Sequence, residues 1–92
     1  MGVSGKDKEL EKVLKALANR RRLAIVRYIR QEREASVGQV AEHMRLSFKA
    51  TSKHLALLTG SGILDKEQRS VQMFFWIPRD IPELARRVLS LL

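Results

Sequence analysis

The sequence contains no cysteine among its 92 residues. Disulfide bonds, thiolate metal ligands and thiol redox sensing are therefore excluded. Long apolar runs are also absent, and the first residues, MGVSGKDKE, lack the hydrophobic segment of a secretory signal. These absences predict a cytoplasmic protein without a membrane segment.

The residue patterns of common enzymes are missing as well. There is no glycine-rich phosphate loop, no serine nucleophile with a suitable histidine and acid, and no recognisable pair of catalytic carboxylates. The two histidines, His43 and His54, cannot supply a closed zinc site by themselves. We therefore expect no catalytic activity, no metal and no other cofactor.

Acidic residues are scarce relative to basic ones, with 10 Asp and Glu against 18 Lys and Arg and a net charge of +8. This balance favours a polyanionic partner, although a charge excess alone is more often a solvated surface. The hydrophobic content of 45% is sufficient for a core. The length predicts one small domain over residues 1–92, with disorder limited to residues 1–6. A domain of this size is marginally stable alone, so we expect a partner chain to stabilise it.

Residues 36–61 have the pattern of two short helices joined by a tight turn. In the first helix, apolar residues recur at helical spacing from Val37 to Met44, and Ser36 with Gln39 fits a capping box. In the second helix, Ser47 is the expected N-cap, and the apolar face consists of Thr51, Leu55 and Leu58. This arrangement predicts a helix-turn-helix.

The other face of the second helix combines cations, a hydroxyl and an aromatic ring with almost no acid. Such a surface suits the phosphates and base edges of DNA. The predicted DNA contacts on this helix are Phe48, Lys49, Ser52, Lys53 and His54. Lys49 and Ser52 are assigned to base edges and Lys53 to phosphates. Phe48 fits the core equally well, and His54 fits a bond to phosphate or backbone as well as a base contact.

The remaining chain predicts helices before and after this motif. Helical patterns cover about residues 7–18 and 20–33, and another covers about residues 80–92. Between them, residues 63–77 change to a period of two and predict a hairpin with a charged tip at residues 65–70. The apolar stripes of the first and last helices are too wide to bury within one small chain. They predict a dimer interface containing Leu10, Val13, Leu17, Leu84, Val88 and Leu91.

Four further basic residues are candidates for contacts with DNA. Arg20 opens a run of three arginines at the positive end of a helix, where cations are disfavoured and a phosphate could use them. Arg45 stands at a turn position that commonly holds glycine, so it either costs strain or supplies a phosphate contact. Lys66 and Arg69 are expected to reach the backbone or the minor groove from the hairpin.

The most specific block is Ser52-Lys53-His54-Leu55 after a capped helix start. Together with residues 14–19, 62–64 and 74–75, it resembles the ArsR/SmtB family of winged-helix repressors over about residues 10–77. The resemblance implies a homodimer of mainly α domains in the order α-α-α-α-β-β-α. It also implies that the second motif helix enters the major groove, while the hairpin, or wing, lies on the flanking backbone or minor groove.

The sequence departs from the metal-sensing members of that family. Ser36 and Gly38 occupy the places of two cysteines, and the last helix has Asp80 and Glu83 but no histidine. We therefore predict a sequence-specific DNA-binding transcriptional regulator, namely a homodimeric repressor that does not respond to metal. No residue pattern indicates an inducer. The alternatives are a winged-helix module for protein or RNA interaction and an architectural protein that binds DNA without sequence preference.

Overall fold

The chain folds into five helices and one small antiparallel sheet, as described by a computed structural model for residues 2–92. The order of four helices, a hairpin and a last helix confirms the predicted winged-helix topology. In chain order the elements are α1 (Gly5–Leu17), α2 (Arg20–Glu32), β1 (Ala35–Ser36), α3 (Val37–Met44), α4 (Phe48–Gly60), β2 (Asp65–Arg69), β3 (Gln72–Trp76) and α5 (Glu83–Leu89).

The start of the chain is more ordered than the sequence predicts. The Ser4 hydroxyl accepts a hydrogen bond from the Asp7 amide at 3.2 Å, and the Ser4 amide donates to the Asp7 carboxylate at 3.0 Å. This reciprocal capping box satisfies backbone amides at the helix start, so α1 begins at Gly5. The predicted disorder over residues 1–6 is therefore wrong for residues 4–6, while Met1 lies outside the described residues.

Local hydrogen bonds set the start of each helix of the helix-turn-helix. Ser36 and Gln39 form the predicted capping box at the start of α3, with distances of 2.8 and 3.1 Å. Ser47 caps α4 by accepting from the Ala50 amide at 3.0 Å. Between the helices, Arg45 adopts a left-handed conformation with a φ of 55°, which reverses the chain within the turn. The predicted helix-turn-helix is therefore present, with its two helices at Val37–Met44 and Phe48–Gly60.

The motif rests on a core shared by α2, α4 and the segment before the hairpin. The largest fully buried side chains include Ile25 and Ile29 of α2, Leu55 and Leu58 of α4, and Ile63. Each such aliphatic side chain contributes about 1.5–3 kcal/mol through its burial. Helix α4 is therefore held rigidly along its inner face, and its outer face remains available.

The hairpin differs from the prediction at its tip. The charged segment predicted as the tip is strand β2, and the two residues between the strands are Ser70 and Val71. Ser70 has a φ of 58°, a left-handed conformation that glycine often supplies in such turns. Val71 is 92% exposed instead of facing the core. Every residue of β2 is exposed, so no alternation of apolar residues reveals this strand.

The hairpin gains a third strand that the sequence analysis missed. Strand β1 pairs antiparallel with β3, with Ala35 opposite Phe75 and Ser36 opposite Phe74, which gives the order β1-β3-β2. Two residues are too few for a detectable period. This strand attaches the hairpin, called the wing from here on, to the start of α3.

The last helix is shorter than the predicted span of residues 80–92. It forms only over Glu83–Leu89, after Pro82, and it buries Ala85 and Leu89. Ile81, which precedes the helix, is also buried. The extended conformation of Pro82, with a ψ of 140°, delays the helix start relative to the apolar pattern.

Candidate nucleic-acid interface

Helix α4 separates apolar and basic residues onto opposite sides. Thr51, Leu55 and Leu58 are fully buried, whereas Lys49 and Lys53 are exposed on the opposite side. Ser52 is half-buried beside them, and α4 contains neither Asp nor Glu. An exposed helix face with cations and a hydroxyl but no carboxylate attracts a polyanion and offers donors to base edges.

A cleft of about 400 Å³ lies between α4 and the wing. Phe48 and Ser52 line it from the helix, and Lys66 and Gln68 line it from β2. Phe48 is 64% exposed, so the alternative that placed this ring in the core is wrong. The predicted contact residues Phe48, Ser52 and Lys66 are therefore brought to one concave surface.

His54 is directed toward α2 and away from the exposed face. Its Nδ1 lies 3.2 Å from Nη1 of Arg22, and because a guanidinium has no acceptor, Nδ1 accepts and the ring proton is on Nε2. Burial of the ring, followed by the positive charges of Arg22 and Arg21, lowers the pKa of His54. This placement gives His54 a structural partner and does not support the predicted contact with DNA.

Arg22 has backbone partners that explain its place in the arginine run, although a cation is unfavourable at a helix start. Its Nε donates to the Ala16 carbonyl at 2.6 Å, and its Nη2 donates to the Lys15 carbonyl at 2.8 Å. These carbonyls belong to the last turn of α1, where backbone acceptors lack helical partners and a cation is stabilising. Arg20 remains exposed as a candidate phosphate contact.

Arg45 lies in the turn that presents α4. Its side chain is exposed, and its amide donates to the Glu42 carbonyl at 3.2 Å and thereby closes α3. The predicted backbone strain is present, because the residue occupies the left-handed region. The exposed guanidinium remains a candidate for a phosphate beside α4.

Arg69 has intramolecular partners that the sequence analysis did not foresee. Its Nη1 lies 2.7 Å from Glu34, and its Nε lies 2.6 Å from Glu67. The guanidinium also lies over the rings of Phe74 and Trp76, at 4.8 and 5.9 Å from their centroids. The hydrogen bond from Arg69 lowers the pKa of Glu34. The charge predicted to neutralise a phosphate is therefore already paired with two carboxylates.

The residues predicted to form the dimer interface divide into two groups. Val13 and Leu17 are buried within the single chain, so they belong to its core and have little surface for a partner. Other apolar residues of α1, of α5 and of the turn after α5 remain exposed or half-buried and form what we call the α1–α5 surface: Leu10, Leu14, Leu84, Val88 and Leu91. Leu91 is 84% exposed.

The two histidines have separate partners. His43 stacks on Tyr28 with ring centroids 4.0 Å apart, whereas His54 faces Arg22. Among residues 2–92, no group of three or more His, Cys, Asp or Glu side chains is placed to hold a metal ion. Within the same part of the chain, no helix combines the length and the apolarity needed to cross a membrane.

Comparison with known proteins identifies relatives of both the sequence and the fold. The sequence profile of the bacterial regulatory protein arsR family matches residues 19–66. The chain is 36% identical to the transcriptional activator HlyU of Vibrio cholerae over 63 residues, which are 68% of this chain and 57% of HlyU. The match to this curated relative thus spans little more than half of its length.

Two solved structures extend the similarity to nearly the whole chain. Reduced HlyU from Vibrio cholerae has a TM-score of 0.77 and 29% identity, covering 95% of this chain and 87% of that one. The second is the homodimeric winged helix-turn-helix DNA-binding domain of a possible ArsR-family transcriptional regulator from Mycobacterium bovis. It has a TM-score of 0.77 and 25% identity, covering 99% of this chain and 84% of that one.

Proposed function

This chain belongs to the ArsR family of bacterial regulatory proteins, which are transcriptional regulators and not enzymes, and we propose that it binds a specific sequence of double-stranded DNA as a homodimer. The observation that supports this proposal most directly is the exposed face of α4. Lys49 and Lys53 project from a helix whose opposite side is fully buried and which carries no acid.

The contacts divide into those that read sequence and those that position the protein. Lys49 and Ser52 lie in the first turns of α4, where side chains of a recognition helix meet base edges in the major groove. Phe48 is the apolar contact at the same end. Four exposed cations are assigned to phosphates: Lys53 on α4, Arg45 in the turn before it, Lys66 on the wing and Arg20 at the start of α2.

The α1–α5 surface supports dimerisation. Its exposed and half-buried leucines and valine lie on, or directly after, two helices that pack on each other in the chain. Burying them against a second copy would add about 1.5–3 kcal/mol for each large side chain that becomes fully covered. A two-fold dimer would present two α4 helices to half-sites about 34–36 Å apart.

We further propose that the bound dimer represses transcription in the cytoplasm by covering a promoter, and that metal does not regulate it. The relative HlyU is named an activator, whereas a structural neighbour from Bacillus anthracis, PagR, is named a repressor. A promoter reporter, measured with and without the protein, distinguishes the two directions. Zinc, cadmium, nickel and arsenite, titrated against the DNA complex, should leave its affinity unchanged.

The central experiment is a protection map on genomic fragments, followed by salt titrations of alanine variants on the protected duplex and on a scrambled one. Lys49→Ala should cost about 1–3 kcal/mol on the protected sequence and much less on the scrambled duplex. Lys53→Ala should weaken binding to both duplexes by similar amounts. It should also reduce the slope of log affinity against log salt concentration by about one unit. The matched control is Lys8→Ala, which removes an exposed cation from α1. It should change the affinity for either duplex only slightly.

Two results would contradict sequence-specific binding. Equal losses on both duplexes for Lys49→Ala and Lys53→Ala would favour the architectural alternative. Failure of the wild-type chain to bind any duplex would favour a module for protein or RNA interaction.

A further inference from the structure

A cluster on the outer face of the wing consists of Arg69, Glu34, Glu67, Phe74 and Trp76; we call it the Arg69 cluster. We propose that Arg69 is a positioning residue, which docks the wing on the body of the domain so that Lys66 is directed at DNA. The part of this inference that concerns DNA rests on the proposed function. The docking itself is a property of the free protein.

Arg69 joins the two edges of the three-stranded sheet. It is the last residue of β2, opposite Gln72 and next to the turn. Glu34 directly precedes β1, at the other edge of the sheet. The guanidinium reaches Glu34 at 2.7 Å by crossing the central strand β3, where it lies 4.8 Å from the centroid of Phe74. A single side chain thus connects the outer strand with the segment that leads into α3.

The wing needs such a connection because its backbone attachment is short. Strand β1 pairs with β3 only at Phe74 and Phe75, so Gln72 and Met73 lie beyond the last β1 pair. An isolated two-stranded hairpin is marginally stable in water. The ion pair from Arg69 to Glu34 therefore attaches the part of the wing that backbone pairing with β1 leaves free.

The surroundings of Arg69 suit a protein contact better than a phosphate contact. Glu34 and Glu67 would both repel a phosphate brought to the same guanidinium. Side chains alternate between the two faces of a strand, and Lys66 and Gln68 line the cleft beside α4. Arg69 and Glu67 consequently lie on the opposite face of β2, away from the cleft.

The chemistry of arginine explains why this position would not accept lysine. The planar guanidinium donates from Nε to Glu67 and from Nη1 to Glu34 at the same time, while its face rests on Phe74. A lysine ammonium is a single charged point without a planar face, so it cannot reproduce this set of contacts. A phosphate contact, in contrast, would tolerate lysine.

Trp76 provides a direct measurement of wing docking in the free protein. It is the single tryptophan of the chain, and its ring lies 5.9 Å from the Arg69 guanidinium. The experiment combines acrylamide quenching of Trp76 with affinity for the protected duplex, for Arg69→Lys and Glu34→Gln. Glu11→Gln is the matched control, because Glu11 is an exposed acid paired with Lys15 at 3.9 Å on α1.

If Arg69 positions the wing, Arg69→Lys and Glu34→Gln should both increase quenching and both lower DNA affinity by about threefold or more. Combining the two substitutions should add little, because both remove the same charged, bidentate-capable pairing between positions 34 and 69. Glu11→Gln should leave quenching unchanged and should not lower affinity, since it only removes a negative charge.

The phosphate-contact alternative predicts the opposite sign for one variant. Glu34→Gln would free Arg69 and remove a negative charge, so affinity would rise, and Arg69→Lys would be tolerated.

Unchanged quenching in Glu34→Gln would overturn docking. Increased quenching with unchanged or higher affinity would overturn the positioning role. A wild-type chain that binds no duplex would contradict both the proposed function and the positioning role. The quenching measurement would still decide whether Arg69 docks the wing.

Discussion

Arg45 combines a strained backbone with an exposed cation at the turn before α4. Its φ of 55° and ψ of 45° are favourable for glycine and cost other residues about 1–2 kcal/mol. Arg45→Gly should raise the free energy of unfolding by about 0.5–1 kcal/mol, since relief of this strain exceeds the added entropy of an unfolded glycine. It should also weaken DNA binding, because a proposed phosphate contact is lost. Urea denaturation and salt-dependent binding measure the two effects.

Arg45→Ala separates backbone strain from the side-chain contact. Alanine retains the strained Cβ, so stability should stay close to that of the wild type while DNA affinity falls as in Arg45→Gly. If Arg45→Gly proved less stable than Arg45→Ala, the strain assigned to this turn would be refuted.

His54 connects stability with pH. Burial and the charges of Arg22 and Arg21 lower its pKa from the ordinary value of 6.5, so the unfolded chain binds a proton at higher pH than the folded chain. The corresponding stability is present above pH 6.5 and is lost as pH falls through the lower folded pKa. His54→Asn, which keeps an acceptor near Nδ1 but cannot be protonated, should remove this part of the pH dependence.

Urea denaturation at a series of pH values between about 5 and 8, where histidine titrates, provides the measurement. His43→Asn is the control, because His43 stacks on Tyr28, whereas His54 faces Arg22. This variant should retain the pH dependence caused by His54. If the unfolding free energy of His54→Asn changed with pH as steeply as that of the wild type, His54 would not be the cause of this pH dependence.

At the scale of elements, the start of α4 depends on one hydroxyl. Ser47 Oγ accepts from the Ala50 amide at 3.0 Å, at the end of the helix that is proposed to read DNA. Ser47→Ala should lower the free energy of unfolding by about 1 kcal/mol, because it leaves an amide of the first turn without its cap. Ser47→Asn supplies a cap of equal quality and should restore stability. Thermal unfolding of both variants tests the assignment, which fails if Ala and Asn behave alike.

At the scale of the whole molecule, the proposed dimer depends on the α1–α5 surface. Leu14 on α1 and Leu57 on α4 are each 53% exposed, so they form a matched pair. Leu14→Asp should dissociate the dimer, since it places an unpaired charge in the proposed apolar interface, and Val88→Asp should do the same from α5. Leu57→Asp should remain dimeric. Sedimentation at micromolar concentration measures all three, and a monomeric wild type would contradict the proposed dimer.

The sequence by itself determined those features that depend on neighbours three or four residues away. The capping box of Ser36 and Gln39, the Ser47 cap and the buried stripe of Thr51, Leu55 and Leu58 are all of this kind. Their physical cause is local, because helix caps and helical faces repeat within one or two turns of the chain. The helix-turn-helix, the basic face of α4 and the family resemblance followed from these patterns.

Only the tertiary structure decided which charged and apolar groups are free to act. Arg69 meets Glu34 across 35 positions of sequence, and Arg22 meets His54 across 32. Strand β1 forms because β3 lies beside it, and Val13 is covered while Leu14 is not. Such contacts have no local period, since they arise when separate elements pack against one another. A basic residue or a leucine in the sequence therefore predicts a candidate, whereas packing determines whether it faces a partner or its own chain.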